Sequence, residues 1–165
     1  MASDVEVRQP QPDDLPQIFD LNARVFGPGR FARTAYRIRE GAPLISPYCL
    51  LARIDGALAA AIRFTPVTIG GQANALLLGP LAVEPQWAGQ GYGRRLIAEG
   101  LELAKADGVR ISVLVGDMGY YQRFGFVRVP PGQIHLPGPA DPARILACEL
   151  DPGALASYRG LISAD

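Results

Sequence analysis

A nearly unbroken apolar run, Ala75 to Val83 (ALLLGPLAV), is followed within a few positions by GQGYGRRL at 89–96, where Gly89, Gly91 and Gly93 alternate with other residues. No other stretch of the chain constrains its fold as tightly. A short apolar run bounded by turn residues is the pattern of a strand buried on both faces, as occurs where helices cover a sheet. Gly79 and Pro80 interrupt it, and because proline cannot donate to a ladder the spacing predicts a bulge or splay there. After the glycines, Leu96, Ile97, Gly100, Leu101 and Ala104 form a helical stripe, with Arg95, Glu99, Glu102 and Lys105 opposite and Gly108 as the stop. Arg110 to Val115 (RISVLV) is a second buried strand. Strand, helix and strand over 75–115 predict a right-handed crossover joining parallel strands.

The remaining chain reads as one domain over residues 1–165, without repeats or an interdomain linker. VEVRQ at 5–9 alternates as a first strand. Leu15, Ile18, Phe19, Asn22, Val25 and Phe26 fall at helical spacing, with Asp13 as the expected N-cap, Pro16 in the first turn and the end near Gly27. A short helix over 31–40 would carry Arg30, Arg33 and Arg37 on one face. Tyr48 to Asp55, a turn at Gly56, and Ala57 to Thr65 predict an antiparallel pair, with Thr68 to Gln72 a further short strand and turn. Met118 to Phe124 reads as a short helix, and Phe126–Val129 and Ile145–Leu150 as strands joined by a Pro- and Gly-rich loop. The expected class is α/β, a mixed sheet with an antiparallel front half and helices on both faces. The apolar tail, Ala154 to Ile162, could cover this sheet or that of a partner in a homodimer.

Sixteen basic residues balance sixteen acidic ones, so no global field draws the chain to nucleic acid or to an anionic membrane. MASDVEVRQP lacks the regions of a signal peptide, and no apolar run approaches the roughly 18 residues of a membrane span. A cytoplasmic location is expected. Cys49 and Cys148 sit in apolar strand-like runs without CxxC spacing, and His135 is the only other soft ligand type. Buried free thiols and no metal site are the expectation.

Any anionic ligand must therefore be held locally. At a loop entering a helix, glycines allow positive φ and close approach to the amides, and the unpaired first-turn N–H groups with the helix dipole suit a phosphate. Arg94 and Arg95 add charge. A dinucleotide fingerprint would need a third glycine where Arg94 stands, and a Walker loop would need Gly-Lys-Ser/Thr. A purely structural role in a tight turn and close helix packing is the simpler alternative.

Here the chain resembles the GCN5-related N-acetyltransferase (GNAT) family. Ala88-Gly89-Gln90-Gly91-Tyr92-Gly93 occupies that family's Q/R-x-x-G-x-G/A segment, with Ala88 in place of the usual Gln or Arg. LAVEP precedes the loop and YYQRFGF, Tyr120 to Phe126, follows the next strand. LGPLAV, LVGD, YYxRFGF and the LPGP segment at 136–139 are similar to a bacterial subgroup of predicted acetyltransferases typified by YhbS. The resemblance covers roughly residues 5 to 150.

It implies a GNAT fold with splayed parallel strands in the central sheet, and acetyl-CoA as cosubstrate. Leu81, Ala82 and Val83 would offer backbone groups to the pantetheine arm. Ala88, Gly89, Gln90, Gly91, Tyr92, Gly93 and Arg94 would hold the pyrophosphate, leaning on amides where Ala88 lacks a polar side chain. Tyr121 aligns with the tyrosine that protonates the departing thiolate, and packing is its alternative role. Glu84 is the first candidate base and Asp117 the second, each of which could instead be a cap or a solvated charge. His135 would face solvent or gate the site. The arginines at 30, 33, 37 and 39 lie where the family walls its acceptor pocket, and could select a carboxylate or phosphate or form a solvated helix face. The implied activity is transfer of an acetyl group to a primary amine, on a small molecule or a protein, by direct attack in a ternary complex. The competing readings are a catalytically inactive acyl-CoA-binding regulatory domain and a nucleotide-binding domain unrelated to coenzyme A.

Overall fold

The computed structural model describes residues 3–165. Met1 and Ala2, the start of the stretch read above for a leader, lie outside them. Strand β1 (Val5–Arg8) leads through a 3-10 turn into helix α1 (Leu15–Phe26), then α2 (Thr34–Arg39), β2 (Leu50–Ile54), β3 (Ala57–Ile69) and β4 (Gln72–Val83). Helix α3 (Tyr92–Ala106), β5 (Ile111–Val115), α4 (Met118–Tyr121), β6 (Phe126–Arg128), β7 (Ile134–His135), β8 (Ile145–Glu149) and β9 (Gly160–Ala164) complete it. The sheet runs β1-β2-β3-β4-β5-β8-β6, and β9 joins β3 to β7 beside it. Among these pairings only β4 with β5 and β7 with β9 are parallel. No helix of the described residues is long and apolar enough to cross a membrane.

Successive residues of β4 serve opposite faces, as the pleat requires. Leu76 belongs to a core with Leu96, Ile97, Leu101 and Ala104 of α3, and Leu77 to a second core with Val113, Ile38 of α2 and Tyr158 of the tail. The apolar stripe read for α3 is the buried one. Helix α1 lies against β3 and β4. It buries Leu21 completely, whereas Phe19 and Val25 are exposed.

Three local expectations need correction. Thr68 to Gln72 is not a separate strand: β3 continues to Ile69, Gly70 and Gly71 turn at φ of 57° and 82°, and β4 starts at Gln72, the geometry of a tight hairpin. Pro66 is tolerated because β3 changes neighbours there, from β2 up to Ile62 to β9 from Val67. Asp13 does not cap α1. Asp14 is the N-cap residue, and its carboxylate instead accepts from Gln11 N, Arg8 and Arg53. Arg30 and Arg33 precede α2 rather than share its face. The tail covers its own sheet, through β9 and the fully buried Tyr158.

Candidate active site

Gly89 and Gly91 take φ of 77° and 90°, a region side chains rarely enter. Gly91 is the N-cap of α3, and no side chain caps that end. The first-turn amides of Tyr92, Gly93 and Arg94 therefore lack helical acceptors and carry the positive end of the dipole. A Cβ at Gly89 or Gly91 would meet nothing within 4 Å, so open space lies before these amides. Gly93 has another role: a Cβ there would lie 3.3 Å from Val83 Cγ2 and 3.5 Å from Leu81 Cδ2, so glycine lets α3 pack directly on β4. Arg94 is exposed at this end, while Arg95 pairs with Glu99 at 3.0 Å. Gln90 Nε2 donates to Gln86 O at 3.4 Å, and Ala88 is exposed in extended backbone.

β4 pairs with β5 only from Ala75 to Leu77, opposite Ile111 to Val113. Beyond that point β4 keeps β3, and Leu114 and Val115 keep β8. A wedge opens between the parallel strands, edged by the backbone of Leu81, Ala82 and Val83, with α3 starting at its wide end. The predicted irregularity at Gly79 and Pro80 is present: Ile62 pairs with Leu81 but Phe64 with Leu78, so β4 carries an extra residue there.

Tyr121 stands across the wedge. Its ring lies against the backbone of Gly116, where a Cβ would sit 2.8 Å from Tyr121 Cε2, and meets Phe126 at 5.7 Å between centroids. Its hydroxyl has no hydrogen-bond partner among the described residues. Burial, with a smaller contribution from Tyr120, pushes its pKa up to about 12. Tyr120 stacks edge-on to it at 4.9 Å, and its own hydroxyl reaches within 3.8 Å of the Cβ position of Gly93. Packing was the alternative role for Tyr120 as for Tyr121, and the fold places Tyr120 between the glycine loop and Tyr121.

Tyr121, Leu81 and Leu114 form one end of a cleft of about 1050 Å³. Its walls are Ile18, Phe19, Asn22 and Phe26 of α1, the α2 segment, and the loop ending in Pro139 and Ala140. That loop is tied to α2, since Thr34 Oγ1 donates to the carbonyl of Pro139. The exposure of Phe19 on α1 is thus explained by the cleft it lines. Arg30, Arg33, Arg37, Arg39, Arg63 and Arg144 also line it, with Glu40 the one carboxylate among the lining residues. Arg63 was not singled out from sequence, although a charge inside the apolar run LAAAIRFTPV was the available signal.

The two candidate bases are occupied. Glu84 accepts from Arg24 Nη1 at 2.5 Å and Nη2 at 2.9 Å, and this pairing holds its carboxyl below its ordinary pKa. It ties α1 to the end of β4 and is a weak base in that state. Asp117 caps α4, accepting from Gly119 N at 3.1 Å. His135 is exposed on β7 and does not line the cleft. Cys49 and Cys148 are buried free thiols, and the described residues hold no metal-ligating cluster.

A family model described as an acetyltransferase (GNAT) domain matches residues 6–129. YhbS, an uncharacterized N-acetyltransferase of Escherichia coli (strain K12), is 30% identical over 158 residues, 94% of this chain and 93% of its own. YjhQ, another uncharacterized N-acetyltransferase of that organism, is 34% identical over 116 residues, 68% of this chain but only 64% of its own length. The crystal structure of Escherichia coli YhbS in complex with CoA superposes with a TM-score of 0.84 at 28% identity, covering 100% of this chain and 92% of that one. A GNAT family acetyltransferase from Brucella melitensis in complex with acetyl-CoA gives 0.71 at 28% identity, covering 98% and 96%.

Proposed function

The chain belongs to the GNAT acetyltransferase family, and from that premise we propose that it is an acetyl-CoA-dependent N-acetyltransferase acting on a primary amine by direct attack in a ternary complex. The observation that carries this reading is the continuity of three features: an uncapped α3 N-terminus, the unpaired β4 edge beside it, and a cleft holding Tyr121 beyond that edge. The related structures from Escherichia coli and Brucella melitensis hold CoA and acetyl-CoA, and the residues here fit the same group. The space before Gly89 and Gly91 is what a pyrophosphate needs, and a side chain at either position would fill it.

Acetyl-CoA supplies an electrophilic thioester carbonyl and a thiol leaving group. The amides of Gly91, Tyr92 and Gly93, with Gln90 and Arg94, hold the diphosphate, and the small Ala88 and Gly89 leave it room. The free edge of Leu81, Ala82 and Val83 aligns the pantetheine arm as an added strand. A main-chain N–H of that edge donates to the carbonyl oxygen as charge builds on it. Tyr121 donates its hydroxyl proton toward the sulfur. The burial that raises this phenol also raises a thiolate in the same wedge, so the comparison of acidities is made inside it rather than in water.

The acceptor must present a neutral amine. With Glu84 bound to Arg24 and Asp117 capping α4, water in the cleft takes that proton, and the excess of guanidinium groups lowers the pKa of the bound ammonium. Thiol release from acetyl-CoA across a panel of primary amines tests the reading. Turnover with at least one amine, lowered about a hundredfold by Tyr121→Phe at unchanged acetyl-CoA affinity, is expected. Tight cofactor binding without turnover on any amine would leave a binding module and end the enzyme assignment.

A further inference from the structure

Arg39 and Arg63 are half-buried charges on the wall of the cleft. Arg39 ends α2 with its Nη2 against β4, 2.8 Å from the Cβ position of Gly79, and its Nε is buried with no hydrogen-bond partner. Arg63 lies within β3, where Nη2 donates to Pro43 O at 3.1 Å while Nε is likewise buried and unpartnered. Neither is in an ion pair among the described residues. Burial and the like charges of Arg63 and Arg33 lower the pKa of Arg39 to about 9. Arg33 stacks over Phe26 at 5.2 Å on the rim of the same cleft. Cys49 and Tyr36 lie near Arg63, and the single lining carboxylate, Glu40, is exposed. Elsewhere the chain satisfies a buried charge fully: Asp14 accepts from Arg8, Arg53 and a backbone amide. Clustered guanidinium groups without an acid are costly to the free protein, and their planar donors match a carboxylate or phosphate bidentately.

We propose that Arg39 and Arg63, with Arg33 at the rim, bind an oxyanion of the acceptor, so that the preferred substrates are amines that also carry a carboxylate or a phosphate. The inference rests on the N-acetyltransferase reading and specifies its substrate class. Gly79, against which Arg39 packs, is two residues from Leu81 on the strand that holds the acyl donor. Anion and amine are therefore held within one small molecule's length of each other. The cofactor's own phosphates belong at the α3 N-terminus, whose loop residues do not line this cleft.

Two measurements test this. Inorganic phosphate is titrated calorimetrically into the CoA-saturated protein, wild type and Arg39→Gln/Arg63→Gln, with CoA affinity checking that each variant folds. Binding at least tenfold weaker in the double variant is expected, with a higher Tm of the free variant because two unpaired charges are gone. Matched acceptors, an amino acid against its amide and an aminoalkyl phosphate against the amino alcohol, are then compared. The anionic member should be preferred at least tenfold in kcat/KM, through KM, and the variant should lose that preference. Which pair shows the larger ratio distinguishes carboxylate from phosphate. Equal use of neutral and anionic amines, phosphate binding that survives in the variant, or phosphate binding abolished by CoA saturation would each overturn the proposal. Arginine-dependent phosphate binding with no amine acetylated would instead remove the transferase reading and keep the anion site. Should the double variant fail to fold, Arg39→Lys, which keeps the charge and loses the fork, is expected to raise KM for the anionic amine alone, and an unchanged KM would count against the proposal.

Discussion

At the scale of single residues, surroundings set Tyr121 and Asp14 apart from the like residues beside them in sequence. Tyr121, raised to about 12, stays protonated through the range in which amines titrate. The rate should therefore climb with pH as the acceptor deprotonates and show no descending limb below about pH 10, while Tyr121→Phe lowers the whole profile; a limb centred near pH 8 would assign the acid elsewhere. Asp14 is the structural counterpart. Hydrogen bonds from Arg8, then from Gln11 N and Arg53, hold its carboxyl far below the usual range despite burial. A depressed carboxyl contributes stability that is complete above its unfolded pKa of about 3.9 and is lost as pH falls through the folded value. Asp14→Ala should cost about 3 kcal/mol at pH 7, since it removes the carboxylate of Arg53 and one of the two that Arg8 binds. Urea midpoints should show the gap from wild type narrowing at pH 3. Asp13 and Asp14 are equivalent to a capping rule, and what separates them is Arg53, which a one-dimensional pattern does not place beside either.

At the scale of elements, the strand, glycine loop, helix and strand over 75–115 were legible because burial on both faces and a helical stripe are local patterns. Helix α3 also shows how tightly that unit is built. A Cβ at Gly100 would stand 2.3 Å from Phe64 Cε2 on β3. Gly100→Ala should gain helix propensity of about 1 kcal/mol and lose more to overpacking, for a net loss of about 1–2 kcal/mol. Denaturation should show Phe64→Leu restoring part of it, and a stabilised Gly100→Ala would mean that α3 sits farther from β3. The bulge at Gly79 and Pro80 was foreseen from proline's missing donor, whereas Pro66 lies inside a strand expected to end at Thr65. That residue sits where β3 exchanges β2 for β9, a fact of topology that its neighbours in sequence do not carry. The ion pair of Glu84 was illegible for a similar reason, since Arg24 is on a helix distant in sequence.

At the scale of the whole molecule, the cleft is assembled from segments far apart in the chain: α1, α2, β3, β4, α4 and the loop that Thr34 holds. Motifs locate the glycine loop and Tyr121, but a cavity wall needs the fold, and so Phe19 and Arg63 gained their meaning only from it. The tail closes the opposite core. Tyr158 is fully buried, donates to Ala73 O at 2.6 Å and lies under Arg110. Tyr158→Ala should cost about 3–5 kcal/mol by chemical denaturation while leaving acetyl-CoA affinity intact, because Tyr158 is anchored at Ala73, at the other end of β4 from Leu81 to Val83. A parallel loss of affinity would show that the two faces of the sheet are coupled.

The central claim is that the α3 N-terminus seats the diphosphate of acetyl-CoA. Calorimetric titration of acetyl-CoA into wild type, Gly91→Ala and Gly91→Glu tests it most directly. Both substitutions bear the same backbone strain at φ of 90°, and only the glutamate places a carboxylate before the amides. The prediction is one site per chain, a modest loss for alanine and at least a further tenfold loss for glutamate. Equal affinities for the alanine and glutamate variants would contradict the seat and the assignment built on it.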